Sequence, residues 1–343
     1  MMGITPPVEG GSERHIYEIS SRIKEVSVLT QKGSICKNKI ELPITKTPTF
    51  LRNILFFALA KAYLFFLILK FKKKHNIIHI HENLFYFLIP FLKLRYKVIV
   101  TVHGLRGFRF YDNKFLWIFF KMGLKFADKI ISVSLPDKDI LDKEFDNVVY
   151  IPNGVNIEDY DKIKKKAERK IKFIGRIHEQ KGIIYLLKTF EKINQSYPEY
   201  KLEVIGDDTT KYAIKMKNRF SNPNIIWKGF VLNRKKLFSE MASAEILVFP
   251  SLWEALPWPA LLEGLASGRA VIASNLKGMT RVFKDRKNIM LAKPGNARSI
   301  AEKIKYLIEN KNKAKIIGVN GKNAAKKYSW SKIALKVRGV YSA

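Results

Sequence analysis

Short apolar runs alternate with longer stretches of helical periodicity along this chain, and the alternation occurs twice. Aliphatic runs without a polar partner at every second position suit strands buried on both faces, and strands separated by helical stretches must be joined by crossovers. Parallel sheets flanked by helices follow. In the first half, strands are expected at 2–5, 26–30, 77–81, 98–102, 129–134 and 148–151, with helices between most of them. In the second half they are expected at 171–174, 201–205, 225–227, 246–250 and 270–273, with helices at 182–194, 234–243, 259–267 and 297–309. The turn sequence Pro152-Asn153-Gly154-Val155-Asn156 separates the halves as a hinge, and a charged stretch at 159–172 opens the second. The expectation is two doubly wound domains whose sheets present their carboxyl ends to one cleft, where ligands of such sheets bind.

Bulk properties set the limits. With 343 residues and 47% hydrophobic composition, the chain can bury two cores, which excludes a disordered protein. The formal charge of +33 calls for an anionic partner or surface, and it is uneven: 24 basic against 15 acidic residues in 1–160, 39 against 15 in the remainder. RNA, anionic lipid and a phosphorylated substrate all fit that charge, and solvated surface lysine accounts for much of it. Cys36 is the one cysteine, so an internal disulfide and a thiolate metal cluster are both excluded, consistent with a reducing compartment. No cleavable signal peptide is expected at the start, which points to a cytoplasmic location. The apolar segment 50–69 is interrupted by Arg52, Asn53 and Lys61 and reads as a buried or interfacial helix. Lys70, Lys72, Lys73 and Lys74 follow it at once, an arrangement that favours anionic headgroups and a peripheral place on the cytoplasmic membrane face.

Two segments of the second half carry chemistry. Gly175-Arg176-Ile177-His178-Glu179-Gln180-Lys181-Gly182 puts two fixed cations beside an expected helix N-terminus, where backbone amides and the helix dipole attract a diphosphate. Pro250-Ser251-Leu252-Trp253-Glu254, continuing to Gly268, supplies Glu254 and Glu263, carboxylates suited to the hydroxyls of a ribose or sugar. Glu263 falls within the apolar helix 260–266, where a carboxylate needs a partner. Gly10-Gly11 precedes a helix and lets backbone approach a phosphate or sugar, although a plain turn explains the pair as well. His103 follows the strand at 98–102, on the ligand-facing end of a parallel sheet. His79 and His81 share one strand face without a third metal ligand at a diagnostic spacing, which leaves sheet-end or cleft-lining roles. Asp137 with Asp139, and Asp207 with Asp208, resemble acids that hold a divalent ion, but helix and loop capping explain both.

In their order along the chain, Gly10-Gly11, Thr101-Val102-His103-Gly104, Ile151-Pro152-Asn153-Gly154-Val155, Gly175-Arg176 with Lys181-Gly182, Ile205-Gly206-Asp207, Lys228-Gly229-Phe230 and the 250–268 block resemble the retaining glycosyltransferases of family 4. The resemblance spans nearly the whole chain. It implies the GT-B fold, an α/β architecture of two facing Rossmann-like domains with parallel sheets. Residues 1–155 would bind the acceptor, 156–327 the nucleotide sugar, and 328–343 would form a final helix crossing back to the first domain. It further implies that Arg176 and Lys181 bind the donor diphosphate, Glu263 the ribose hydroxyls, Glu254 the transferred sugar, and His103 the donor sugar, with Gly10, Gly11 and Gly175 among the donor-binding positions. The family spaces its two glutamates eight positions apart; here Glu254 and Glu263 differ by nine. At Lys277-Gly278-Met279-Thr280-Arg281 the family often has two glycines and a glutamate. Arg281 takes the acidic place, and Gly278 would offer backbone amide to the diphosphate.

The expected function is transfer of a hexose from a nucleoside-diphosphate sugar to an acceptor hydroxyl with retention at the anomeric carbon, the acceptor being a lipid-linked sugar or a cell-surface glycan. Catalytic work falls on Arg176, Lys181, His103 and Glu254, with no metal or other cofactor and no nucleic-acid partner. Two alternatives share parts of this sequence. A GT-B nucleotide-sugar epimerase would use the same donor site without an acceptor, and a non-enzymatic nucleic-acid binder would use the charge alone.

Overall fold

The structure, a computed structural model, describes residues 1–343 apart from 4, 7–9, 45–48, 70–75, 106–112 and 164, and apart from the side chains of 49–54, 57, 67–69, 84 and 114. The lysine cluster at 70–74 therefore lies outside the described residues. The chain divides into two compact units: residues 1–153 with 330–343, and residues 154–329.

The first unit contains strands β1 (Val28–Gln31), β2 (Lys39–Leu42), β3 (Ile77–Ile80), β4 (Lys97–Val102), β5 (Lys129–Ser132) and β6 (Val148–Tyr150). Its helices are α1 (Gly11–Ser20), α2 (Thr49–Leu69), α3 (Ile89–Lys93), α4 (Lys114–Leu124) and α5 (Leu135–Leu141). Strands β3-β4-β5-β6 pair in parallel, and β1 pairs in parallel with β2. The strand expected at 2–5 is reduced to a bridge: Met2 pairs with both Leu29 and Ile80 and so links β1 to β3. Strand β2 was not expected, because Lys-Ile-Glu-Leu is short and only its last residue is buried. In β4, by contrast, Val98, Ile99, Val100, Thr101 and Val102 are all buried, the continuous apolar run of a strand covered on both faces.

The second unit holds α6 (Ile157–Asp161), β7 (Lys170–Ile174), α7 (Ile183–Ser196), β8 (Lys201–Ile205), α8 (Lys211–Arg219), β9 (Ile225–Trp227) and α9 (Arg234–Ser243). It continues through β10 (Ile246–Phe249), α10 (Pro259–Ala266), β11 (Ala270–Ser274), α11 (Met279–Val282), β12 (Met290–Ala292), α12 (Ala297–Glu309) and α13 (Lys311–Ala325). The six strands are parallel in the order β12-β11-β10-β7-β8-β9. The chain winds outward from β7 through β8 to β9, then returns through α9 to place β10 on the other flank of β7. Between β7 and β10 the winding direction reverses, and the loops leaving these two strands sit at the switch point where ligands of such sheets bind.

A buried ion-pair network lies inside this unit. Lys172 of β7 is fully buried, and its Nζ lies 2.7 Å from Glu203 Oε2, 2.6 Å from Glu240 Oε2 and 2.7 Å from Ser243 Oγ. Such a cation is tolerable in a core only when fully partnered. The last helix, α14 (Trp330–Ser342), belongs to the first unit and packs on α1, where Trp330, Ile333 and Val337 join Ile16 and Ile19 in one cluster. Among the described residues, no helix is long and apolar enough to cross a membrane.

Candidate functional site

The loop from β7 to α7 and the loop from β10 to α10 leave the two strands that flank the reversal. They are tied together: the Leu252 amide donates to the Gln180 carbonyl at 2.7 Å, and Gly182 packs on the Pro250 carbonyl so closely that a Cβ would collide with it. Gly182 also has φ 62°, the left-handed conformation that glycine enters without strain. It occupies the N-cap of the 14-residue helix α7 with no side-chain cap, so the helix starts with its first-turn amides uncovered by a capping side chain.

Three side chains of the expected site meet across these loops. Lys181 forms an ion pair with Glu254, both largely buried. The same Glu254 oxygen, Oε1, accepts from Ser251 Oγ at 2.9 Å, while Oε2 lies 3.5 Å from Gln180 Nε2. Gln180 also donates to the Trp253 carbonyl at 2.9 Å and accepts from the Arg176 guanidinium at 3.3 Å. A connected set therefore runs from exposed Arg176 through Gln180 to the Lys181–Glu254 pair, with Gly175 directly after the strand that carries it. Gln180 and Ser251 were present in the sequence motifs without a role; their part depends on the contact between loops.

Glu263 sits one turn into α10 and forms an ion pair with Arg234, the first residue of α9, whose guanidinium carbon also lies 4.8 Å over the Phe238 ring. The partner that a carboxylate in an apolar helix requires is thus a cation 29 positions earlier, which local sequence did not disclose. Tyr160 is buried beside this pair, and burial followed by the Glu263 charge pushes its phenol well above the usual range. Gly278 is the N-cap of the short helix α11, with φ 88°, in the loop leaving β11 on the far side of β10.

His103, Gly10 and Gly11 belong to the first unit. Gly10 is the extended N-cap of α1 and exposed, like Gly11. His103 joins a cluster that local spacing could not show. His81 Nδ1 and His103 Nε2 are 3.0 Å apart, and the His15 ring packs edge-on to His103 at 5.0 Å. His79 stacks beside His81 at 4.2 Å, and its ring nitrogens reach Tyr341 Oη and Thr101 Oγ1, each at 2.7 Å. His15 Nδ1 is 3.1 Å from Asn153 Oδ1. Burial holds the His15 imidazole down at about 4 and keeps His79, His81 and His103 well below the ordinary histidine range. At neutral pH all four rings are uncharged. Despite this proximity, no group of His, Cys, Asp or Glu among the described residues is arranged to hold a metal ion.

The paired acids are held by different contacts. Asp137 lies in the first turn of α5 rather than at its N-cap, which is Ser134, and accepts from the Leu105 amide at 3.2 Å. Asp207 accepts from the Thr209 amide and hydroxyl at 3.1 and 2.6 Å, and Asp208 pairs with Lys217 at 2.5 Å.

Comparison with known proteins agrees in both halves. Residues 156–324 match the family described as Glycosyl transferases group 1, and residues 9–159 match Glycosyltransferase Family 4. An uncharacterized glycosyltransferase of Methanocaldococcus jannaschii is 32% identical over 258 residues, covering 73% of this chain and 69% of that protein. The UDP-Gal:alpha-D-GlcNAc-diphosphoundecaprenol alpha-1,3-galactosyltransferase of Escherichia coli is 26% identical over 264 residues, covering 69% of this chain and 67% of that protein. Among solved structures, Anabaena Alr3699/HepE in complex with UDP superposes with a TM-score of 0.79 at 17% identity over 99% of this chain and 98% of its own, a likeness of fold. The chain belongs to the group 1 glycosyl transferases of family 4 and is a glycosyltransferase of the GT-B class, α/β with parallel sheets.

Proposed function

We propose that this enzyme transfers a hexose from a nucleoside-diphosphate sugar, with retention at the anomeric carbon, to a hydroxyl of a lipid-linked sugar at an anionic membrane face. The observation that carries the donor site is the connected set Arg176, Gln180, Lys181 and Glu254 at the carboxyl ends of β7 and β10, beside the uncapped N-terminus of α7. A diphosphate is the ligand that two cations and helix amides stabilise together. The galactosyltransferase relative, whose name specifies a UDP-sugar donor and a diphosphoundecaprenol-linked acceptor, and the UDP complex of the Anabaena neighbour support the same donor class.

In this reading the bond between C1 of the sugar and the diphosphate oxygen breaks, and a bond from the acceptor oxygen to C1 forms on the same face. The acceptor proton passes to the leaving phosphate. Negative charge grows on that phosphate as the bond lengthens, so Arg176, Lys181 and the α7 amides stabilise the transition state more than the ground state. Glu263, with Oε1 held by Arg234, takes ribose hydroxyls through Oε2. Glu254 is oriented by Lys181 and Ser251 toward the hexose, and Gly175 and Gly278 give backbone access to the phosphates. His103, whose Nε2 is engaged by His81, and the Gly10-Gly11 pair are assigned to the donor sugar by the family resemblance. The two cations do the neutralising work, so no metal is assigned.

Lys181→Ala tests the reading, paired with Lys181→Ala/Glu254→Gln. Removing Lys181 alone leaves the mostly buried Glu254 carboxylate without its cation, so loss of activity in the single variant has two explanations. The double variant separates them. If Lys181 stabilises the leaving diphosphate, turnover of a UDP-hexose stays down by about 100-fold or more in both variants while both remain folded. A double variant no less active than Glu254→Gln alone would reduce Lys181 to a counter-ion and overturn its assigned role.

A further inference from the structure

Helix α4 breaks the rule that an outer helix shows water a polar face. Phe120 and Leu124 point into the first unit's core, yet the opposite stripe carries Phe115, Phe119 and Met122 with 77%, 66% and 60% of their surfaces exposed. These residues recur at the spacing of one helix face, so the stripe is continuous. It extends beyond the helix. The 3₁₀ turn 83–88 and α3 pack against α4 and add Phe87, Phe91 and Leu94, the last 79% exposed. Exposed apolar side chains grouped in this way mark an interaction surface.

Charge identifies what covers it. Between residues 83 and 127 the sequence has eight lysines and arginines against one acid, Asp112. At the patch edge Lys61 lies 5.9 Å over the Phe87 ring, and Lys125 follows α4 in an exposed position. The acids next to this surface are already engaged, Asp128 by Lys93 and Glu144 by Lys121. A second copy would bring the same positive charge against it, in a chain whose formal charge is +33. An anionic bilayer supplies both an apolar interior for the aromatic stripe and negative headgroups for the rim.

We infer that the α4 stripe with Phe87, Phe91 and Leu94 is the surface by which this enzyme lies on an anionic bilayer, aromatic side chains inserted below the headgroups and lysines at their level. This rests on the reading of a lipid-linked acceptor, and it names where the lipid surface is met.

The experiment is co-sedimentation of the full chain with phosphatidylglycerol/phosphatidylcholine vesicles, and with phosphatidylcholine alone, read without any glycosyl transfer. Wild type is expected to sediment with the anionic vesicles at low salt and to do so more weakly at high salt. The Phe115→Ser/Phe119→Ser/Met122→Ser variant is expected to lose about tenfold or more in partitioning, since three apolar side chains no longer enter hydrocarbon. Its thermal stabilisation by UDP should be unchanged, which certifies the fold. Equal partitioning of variant and wild type, or no binding of wild type at low salt, would overturn the inference. So would a wild-type dimer in sedimentation velocity that the variant abolishes, because a second copy would then own the surface. Vesicle binding by a chain that transfers no sugar would leave the docking surface standing and refute the proposed reaction instead.

Discussion

Acidification should unfold the first unit before the second, because four uncharged histidines share its interior. His15 is fully buried, with an imidazole held at about 4 against 6.5 for a free side chain. Above pH 6.5 the ring is neutral folded or unfolded and contributes nothing to the pH dependence. Between 6.5 and about 4 the unfolded chain binds a proton that the folded chain refuses, so stability falls as pH falls. From these two values, His15 alone removes roughly 2 kcal/mol at pH 5 and about 3 kcal/mol once the loss is complete. His79, His81 and His103 are depressed in the same direction by burial, and a first proton on any of them would repel a second on rings 4.2 to 5.6 Å away. All three therefore add to the loss that His15 begins, in a domain whose whole stability is typically only about 5–15 kcal/mol. Two units need not unfold together, so the assay is hydrogen exchange by mass spectrometry, comparing β3 and β4 peptides with β7 and β8 peptides at pH 7.5 and 5 after correction for intrinsic rates. Protection in β3 and β4 should fall more steeply than in β7 and β8. In His15→Asn, which keeps a polar side chain but cannot titrate, the fall should be smaller by about 2 kcal/mol at pH 5. Identical losses in wild type and variant would show that the cluster does not govern acid stability.

Lys172→Met should destabilise the second unit by roughly 3–5 kcal/mol in urea unfolding, since it leaves the Glu203 and Glu240 carboxylates buried without their shared cation. Burial raises the Glu240 carboxyl, but hydrogen bonds from Lys172 and Lys228 outweigh it and hold the group at about 2, so the wild-type network should lose its stabilisation only as pH falls from 4.5 toward 2. Gly182→Ala should cost about 2 kcal/mol or more and weaken UDP binding in a thermal-shift assay, because the new Cβ meets the Pro250 carbonyl and the left-handed backbone is strained; unaltered UDP binding would mean that the two loops need not be held together for donor binding.

Most of the scaffold was legible because its signals are local. β10 is an uninterrupted apolar run and β4 is one but for Lys97 and Thr101, and a fully buried parallel strand needs nothing else to be recognised. β2 and β12 escaped for the opposite reason: four residues with one buried side chain, and three residues at a sheet edge, carry too little pattern to stand out from loop. The candidate site residues were proposed on equally local grounds, since a glycine-bounded basic loop before a helix suits an anion.

What sequence could not disclose was which of these residues meet. Lys181 and Glu254 are separated by 73 positions, Arg234 and Glu263 by 29, and the four histidines come from α1, β3 and the residues that follow β3 and β4. Each contact is decided by strand order, and strand order is set by where the winding reverses rather than by any residue in the contact. The reversal between β7 and β10 brings the basic loop against the acidic one and turns two weak motifs into a single charged assembly. The same logic explains Glu263: a carboxylate facing an apolar helix promised a partner, and the return of the chain from β9 through α9 delivers Arg234 to it. This charged assembly is thus a property of the sheet's topology before it is a property of its side chains. Charge substitutions that preserve the order should alter affinity, while changes such as Gly182→Ala that separate the loops should disperse the site even with every charge in place.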